Sequence, residues 1–157
     1  MNNFALRLYF SFERVNFYTV HFDNSKLCET DKFFEAYKDF EKLNWDMGVI
    51  ASEIQRIGEE TGAILRKFRL EGRAHALPDN TYIGAKLRLY CYRVSDHIVI
   101  LGNGGLKTER TAQAGEFTAQ HFDNMKNIAG LVKYRVDSEA ILIDEKELKG
   151  NLKFTKK

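Results

Sequence analysis

The stretch from Lys86 to Arg110 holds the residues whose types and spacing could do chemistry. Lys86, Arg88, Tyr90 and Tyr92 alternate with Leu87, Leu89 and Cys91. That period of two predicts a strand from Ala85 to Val94 with the cations and tyrosines on one face. An apolar run follows, His97 to Leu101, then Gly102-Asn103-Gly104-Gly105, then Lys107 and Arg110. If the two strands pair as a hairpin, these cations and aromatics share one side of a sheet. Such a face suits RNA, because Lys and Arg neutralise phosphate and tyrosine rings stack on unpaired bases. An ordinary solvated sheet face carries the same residue types, so both readings stand at this point.

Other chemistry-bearing residues have plainer readings. The Gly102–Gly105 segment could cradle an anion with backbone N–H groups, but it lacks the Walker Lys-Ser/Thr and the dinucleotide spacing. A tight turn is its expected use. His21, His75 and His121 are scattered, and Cys28 and Cys91 show no metal spacing, so neither a metal nor a cofactor is expected. His97 shares a strand face with Val99 and Leu101 and reads as a core-edge histidine. His121 falls on an apolar helical stripe with Phe117, Met125, Ile128 and Val132 and reads as packed. Asp23, Asp31, Asp39 and Glu41 read as caps and solvated helix faces. Phe33, Phe34, Tyr37, Phe40 and Trp45 read as core, and any of them found exposed would mark a partner surface.

These residues must be positioned by elements that the rest of the chain supplies. The 157 residues favour one domain over residues 1–150, followed by a basic, mobile tail over 151–157. Alternation over 4–12 and a β-branched, aromatic run over 15–22 predict a hairpin that turns near Glu13-Arg14. From Thr30, the candidate N-cap, the period becomes helical: Phe33, Phe34, Tyr37 and Phe40, then Met47, Ile50, Ile54 and Ile57. Residues 69–84 read as irregular loop. A third helix is expected over about Glu109 to Val132, and a last short strand over 139–143. Two strings recur, Leu-Arg-Leu-Tyr at 6–9 and 87–90 and His-Phe-Asp-Asn at 21–24 and 121–124. Their separations are unequal, so they read as coincidence or shared strand preference rather than a repeat. The formal charge of +2 makes any basic site a local cluster. No apolar run is long enough to span a membrane, and no leader is recognisable, so a cytoplasmic protein is expected.

Three segments together carry a family resemblance: Leu87-Arg88-Leu89-Tyr90-Cys91-Tyr92, His97-Ile98-Val99-Ile100-Leu101-Gly102, and Lys107-Thr108-Glu109-Arg110-Thr111. They resemble the RelE/ParE toxin superfamily, in its HigB-like, phage-related branch, over roughly residues 15–130. Arg110 stands where that branch usually has a second Lys. The resemblance implies an α+β fold, a small mainly antiparallel sheet packed against a helical hairpin, with an additional C-terminal helix. It implies a toxin of a type II toxin–antitoxin pair, a metal-free endoribonuclease acting on mRNA at the ribosome and neutralised by a cognate antitoxin. Arg88, Lys107 and Arg110 then match the catalytic cations, and the strand pattern adds Lys86, Tyr90 and Tyr92 as RNA-binding residues. A ribose 2′-OH would attack the adjacent phosphate while the cations stabilise the developing charge. Tyr90 and His97 are the candidates for general base. The alternative is a non-catalytic protein- or ribosome-binding module on the same scaffold.

Overall fold

The structure is a computed structural model that describes residues 2–107 and 112–155. Strands β1 (Phe4–Ser11) and β2 (Asn16–Phe22) form the expected antiparallel hairpin. The chain then turns into α1 (Glu29–Tyr37), capped by Cys28, whose Sγ accepts from the Asp31 N–H at 3.4 Å. Thr30 is not the cap. It is buried, with its hydroxyl 2.7 Å from Thr19 Oγ1, which ties α1 to β2. Helix α2 (Asn44–Arg56) follows a short 3-10 turn and widens into a π-type segment over Ile57–Thr61. Gly62, at φ +77°, supplies the left-handed residue that ends it.

Residues 69–84 are more ordered than their turn-rich composition predicts. They supply β3 (Arg69–Glu71) and β4 (Ala74–Leu77), joined at Gly72. Strands β5 (Leu87–Ser95) and β6 (Ile98–Leu106) form the next hairpin. After them come α3 (Ala112–Asp137) and a separate hairpin of β7 (Ile141–Asp144) and β8 (Glu147–Gly150). Strand β9 (Lys153–Phe154) closes the far edge of the main sheet. The sheet order is β3-β4-β5-β6-β2-β1-β9, antiparallel except between β2 and β6. The protein is thus α+β with a mostly antiparallel open sheet, but seven strands make that sheet larger than the small one expected.

Both faces of the sheet are covered. On one, Phe33, Ile50, Ile54 and Ile57 from the α1–α2 region pack on Phe17, Leu87, Leu89, Val99 and Leu101. On the other, Met125, Ile128 and Val132 of α3, with Ile141 and Leu148, pack on Val20, Tyr90, Ile98 and Ile100. Asp46 of α2 fixes the start of β5: its buried carboxylate accepts from Leu87 N–H at 3.1 Å and also from the Lys86 N–H.

Two expectations are corrected by packing. Gly102–Gly105 is not a turn but part of β6, and its glycines permit close approach. A Cβ at Gly104 would run into the Arg88 carbonyl oxygen, and one at Gly102 would lie 2.8 Å from Met125 Sδ. The tail expected to be mobile instead supplies β9. Phe154 stacks on Phe4 with ring centroids 4.5 Å apart, and the Arg135 guanidinium lies 3.7 Å from the Phe154 ring centroid. The glycines differ testably. Gly48 sits inside α2 with open space around it, so Gly48→Ala should stabilise by about 0.5–1 kcal/mol. Gly104→Ala should destabilise by several times as much, both read from urea denaturation midpoints.

Candidate functional site

The residues singled out along β5 do not share one surface. At about 3.3 Å per residue, Lys86 and Tyr92 are separated by roughly 20 Å. Lys86 and Lys107 are exposed and lie side by side, the Lys107 N–H donating to the Lys86 carbonyl at 2.7 Å. Arg88, further along the strand, is only 2% exposed. Its Nη1 donates to the carbonyls of Ala85 and Leu87, each at 3.0 Å, and its buried Nε has no hydrogen-bond partner. Burial, with Arg69 nearby, pulls its pKa below the ordinary guanidinium value. Tyr90 is also buried, its ring 5.4 Å from that of Phe122 on α3, and burial pushes its phenol up. The alternation in β5 is real, but in the middle of the strand its polar face is buried, with Tyr90 turned toward α3 rather than toward water. Arg110 lies outside the described residues. His97 is exposed, with Nδ1 2.9 Å from the Arg14 carbonyl, rather than at the core edge.

Tyr92 has a different setting. It lines a cleft of about 590 Å³ together with Arg73, Gly130, Lys133, Tyr134 and Asp137. The turn between β3 and β4 delivers Arg73, β5 delivers Tyr92, and the last turns of α3 deliver the rest. Gly130 lets Arg73 lie close to the helix, since a Cβ there would be 3.1 Å from Arg73 Nη1. Behind Tyr92 lies His75, with ring centroids 6.1 Å apart. His75 Nδ1 faces the Arg93 N–H at 3.3 Å, and burial together with Arg93 lowers its pKa. A neutral ring that accepts at Nδ1 fits both observations. Burial also raises the Tyr92 pKa, with Lys133 opposing and Asp137 reinforcing the effect. Lys133 pairs with Asp137 at 2.7 Å, and Tyr134 is 72% exposed. Two cations, one carboxylate and two phenol rings therefore meet in one cleft, an arrangement that can hold phosphate and stack a planar base.

Of this set, sequence reasoning finds only Tyr92. Arg73 falls in a segment whose composition reads as loop. Lys133, Tyr134 and Asp137 fall beyond the expected end of the third helix at Val132. The signal is nevertheless present in the spacing, because 130, 133, 134 and 137 recur at helical intervals.

A second surface surrounds Lys86. Phe40, Lys42, Leu43 and Leu106 line a groove with it, and Phe40 and Trp45 are each 56% exposed despite their expected place in the core. The core stripe runs instead through Ile50 and Ile54 of α2 and Ile57 of the π-type segment that follows it. Among the described residues, no group of three His, Cys, Asp or Glu side chains could hold a metal ion, and no helix is long and apolar enough to cross a membrane. No family model, curated protein or solved structure matches the chain.

The placement of Arg88 predicts how its removal reads out. Arg88→Ala orphans two buried carbonyls and should lower stability by about 1–3 kcal/mol in urea denaturation. Lys86→Ala and Lys107→Ala, at exposed sites, should stay within about 0.5 kcal/mol of the parent.

Proposed function

We propose that this chain is an RNA- or ribosome-binding module that acts by holding RNA at the Tyr92 cleft rather than by cutting it. The observation that carries this reading is the meeting of Tyr92 and Tyr134 with Arg73 and Lys133 around one cavity. Tyrosine faces accept any base, and the two cations neutralise phosphate without requiring a basic protein overall. The burial of Arg88 favours binding over catalysis, because a cation that is 2% exposed and committed to two backbone carbonyls is not free to clamp a transition state. Short single-stranded RNA, followed by fluorescence anisotropy, tests the reading. Tyr92→Ala should weaken binding by about 1–3 kcal/mol, roughly five- to 150-fold. Arg73→Ala/Lys133→Ala should weaken it and flatten the salt dependence by about 0.7 in log–log slope for each phosphate that is no longer neutralised. Binding by the parent that is unchanged in both variants would remove the cleft from the interface.

One further observation supports the ribonuclease toxin as a second reading. The helices α1 and α2 pack on one face of a mostly antiparallel sheet and α3 follows that sheet, which fits the sheet, helical hairpin and additional C-terminal helix that the RelE/ParE resemblance implies. Among the described residues, Lys86 and Lys107 are the cations of that reading that reach solvent, and the exposed Phe40, which shares a groove with Lys86, and Trp45 would receive the antitoxin. Induced expression discriminates. If the toxin reading holds, the parent arrests growth with mRNA cut in ribosome-bound fractions, and Lys86→Ala/Lys107→Ala relieves the arrest. Arg88→Ala is the wrong probe here, because reduced toxicity could reflect unfolding. Soluble, folded parent protein that arrests nothing leaves the binding module as the reading.

A further inference from the structure

The two His-Phe-Asp-Asn strings, far apart along the chain, converge in space. The first ends β2 and enters the turn before α1; the second lies within α3. Phe22 and Asn24 from the first and His121 and Asn124 from the second line one cavity of about 340 Å³. Asn2, Ser25, Glu29, Lys32 and Gln120 are the other described residues that line it. It is distinct from the Tyr92 cleft, with which it shares no residue.

The wall has a consistent chemistry. Asn2, Asn24, Gln120 and Asn124 are four carboxamides, each offering two N–H donors and one acceptor oxygen. Its charges are already matched: Lys32 Nζ pairs with Glu29 Oε2 at 2.9 Å and donates to Ser25 Oγ at 2.7 Å. Glu29 is only 6% exposed, and the buried Nδ1 of His121 has no hydrogen-bond partner. Burial lowers the His121 pKa, which keeps the ring neutral near pH 7. Among the described residues, Phe22 is the one aromatic carbocycle in the wall and is buried, so it offers little surface for stacking. A wall of carboxamides with its ion pair internally satisfied does not select an anion or an apolar body. It matches a ligand whose groups both donate and accept, and hydroxyls do both. The volume lies at the lower end of small-molecule sites, about 300–1,000 Å³, which suits a single sugar ring rather than a chain.

We propose that the cavity where the two His-Phe-Asp-Asn strings meet binds a neutral polyhydroxyl ring of monosaccharide size, with Asn24, Asn124 and His121 as its hydrogen-bonding residues. The ring can come from a free sugar or from the ribose of a nucleoside. Titration of the folded chain with D-glucose, D-galactose, D-ribose and adenosine, followed by amide chemical shifts, tests this. At least one probe should shift amides of residues 22–25 and 120–124 with a dissociation constant of about 1–10 mM. Asn24→Ala/Asn124→Ala should weaken that binding by about tenfold or more. A response to a free sugar assigns the site to sugars, and a response to adenosine alone assigns it to nucleoside ribose. Should the double variant fail to fold, Gln120→Ala at the same wall serves in its place. The proposal is overturned if no probe shifts these amides, or if the shifts persist unchanged in the folded variants.

Discussion

The closure of the central strands on both faces is the constraint on which the rest of the molecule depends. Leu87, Leu89 and Cys91 of β5 meet the α1–α2 layer, while Arg88 and Tyr90 lie on the side covered by α3. A strand closed in this way has no solvent face along its middle. Its functional reach is confined to where the cover ends. Lys86 escapes at one end, where the groove around Phe40 begins, and Tyr92 escapes at the other, beside the last turns of α3. The buried guanidinium of Arg88 follows from the same closure. Its two carbonyl partners at 3.0 Å satisfy part of its donor set, and its lowered pKa reflects the cost of holding a charge there.

This closure also decides what the sequence could tell and what it could not. The hairpin β1–β2, the helical stripe through Ile50, Ile54 and Ile57, and the apolar strand from Ile98 were legible because each depends on local periodicity. The face that Arg88 and Tyr90 would occupy was not. Alternation specifies that two sets of side chains oppose each other, but not whether a later helix covers the more polar set. That information lies in α3, further down the chain, and α3 itself runs past its expected end at Val132, to Asp137. The glycines of β6 misled for a related reason. Gly-Asn-Gly-Gly is a turn composition, yet here small residues are required because the Arg88 carbonyl and Met125 come too close for a Cβ.

Edges obey a different rule. The C-terminal residues look like a solvated basic tail, but Phe154 is 4% exposed and stacked on Phe4. Phe154 docks the segment together with Leu152, which packs on the core, and with Arg135, whose Nη1 donates to the Asn151 carbonyl at 2.9 Å and to the Lys153 carbonyl, so that β1 does not present an open edge. The hairpin β7–β8 is fastened similarly, by the Leu148 N–H donating to the Tyr18 hydroxyl at 3.0 Å. Neither attachment has a periodic signature, and each depends on long-range packing.

Helix α3 links the two cavities without merging them. At about 1.5 Å per residue its 26 residues extend roughly 39 Å. Met125, Ile128 and Val132 form the stripe that seals it onto the sheet. Gln120, His121 and Asn124 lie toward β2 and α1; Gly130, Lys133, Tyr134 and Asp137 lie toward β3 to β5. A dry core therefore separates the carboxamide-lined cavity from the cation-bearing cleft. The Glu29 carboxylate must be satisfied by Lys32 where water is scarce, whereas the exposed pair Lys133–Asp137 can be opened by an incoming phosphate at little cost. The same helix thus runs past an ion pair with a buried carboxylate on one flank and carries an exposed pair on the other.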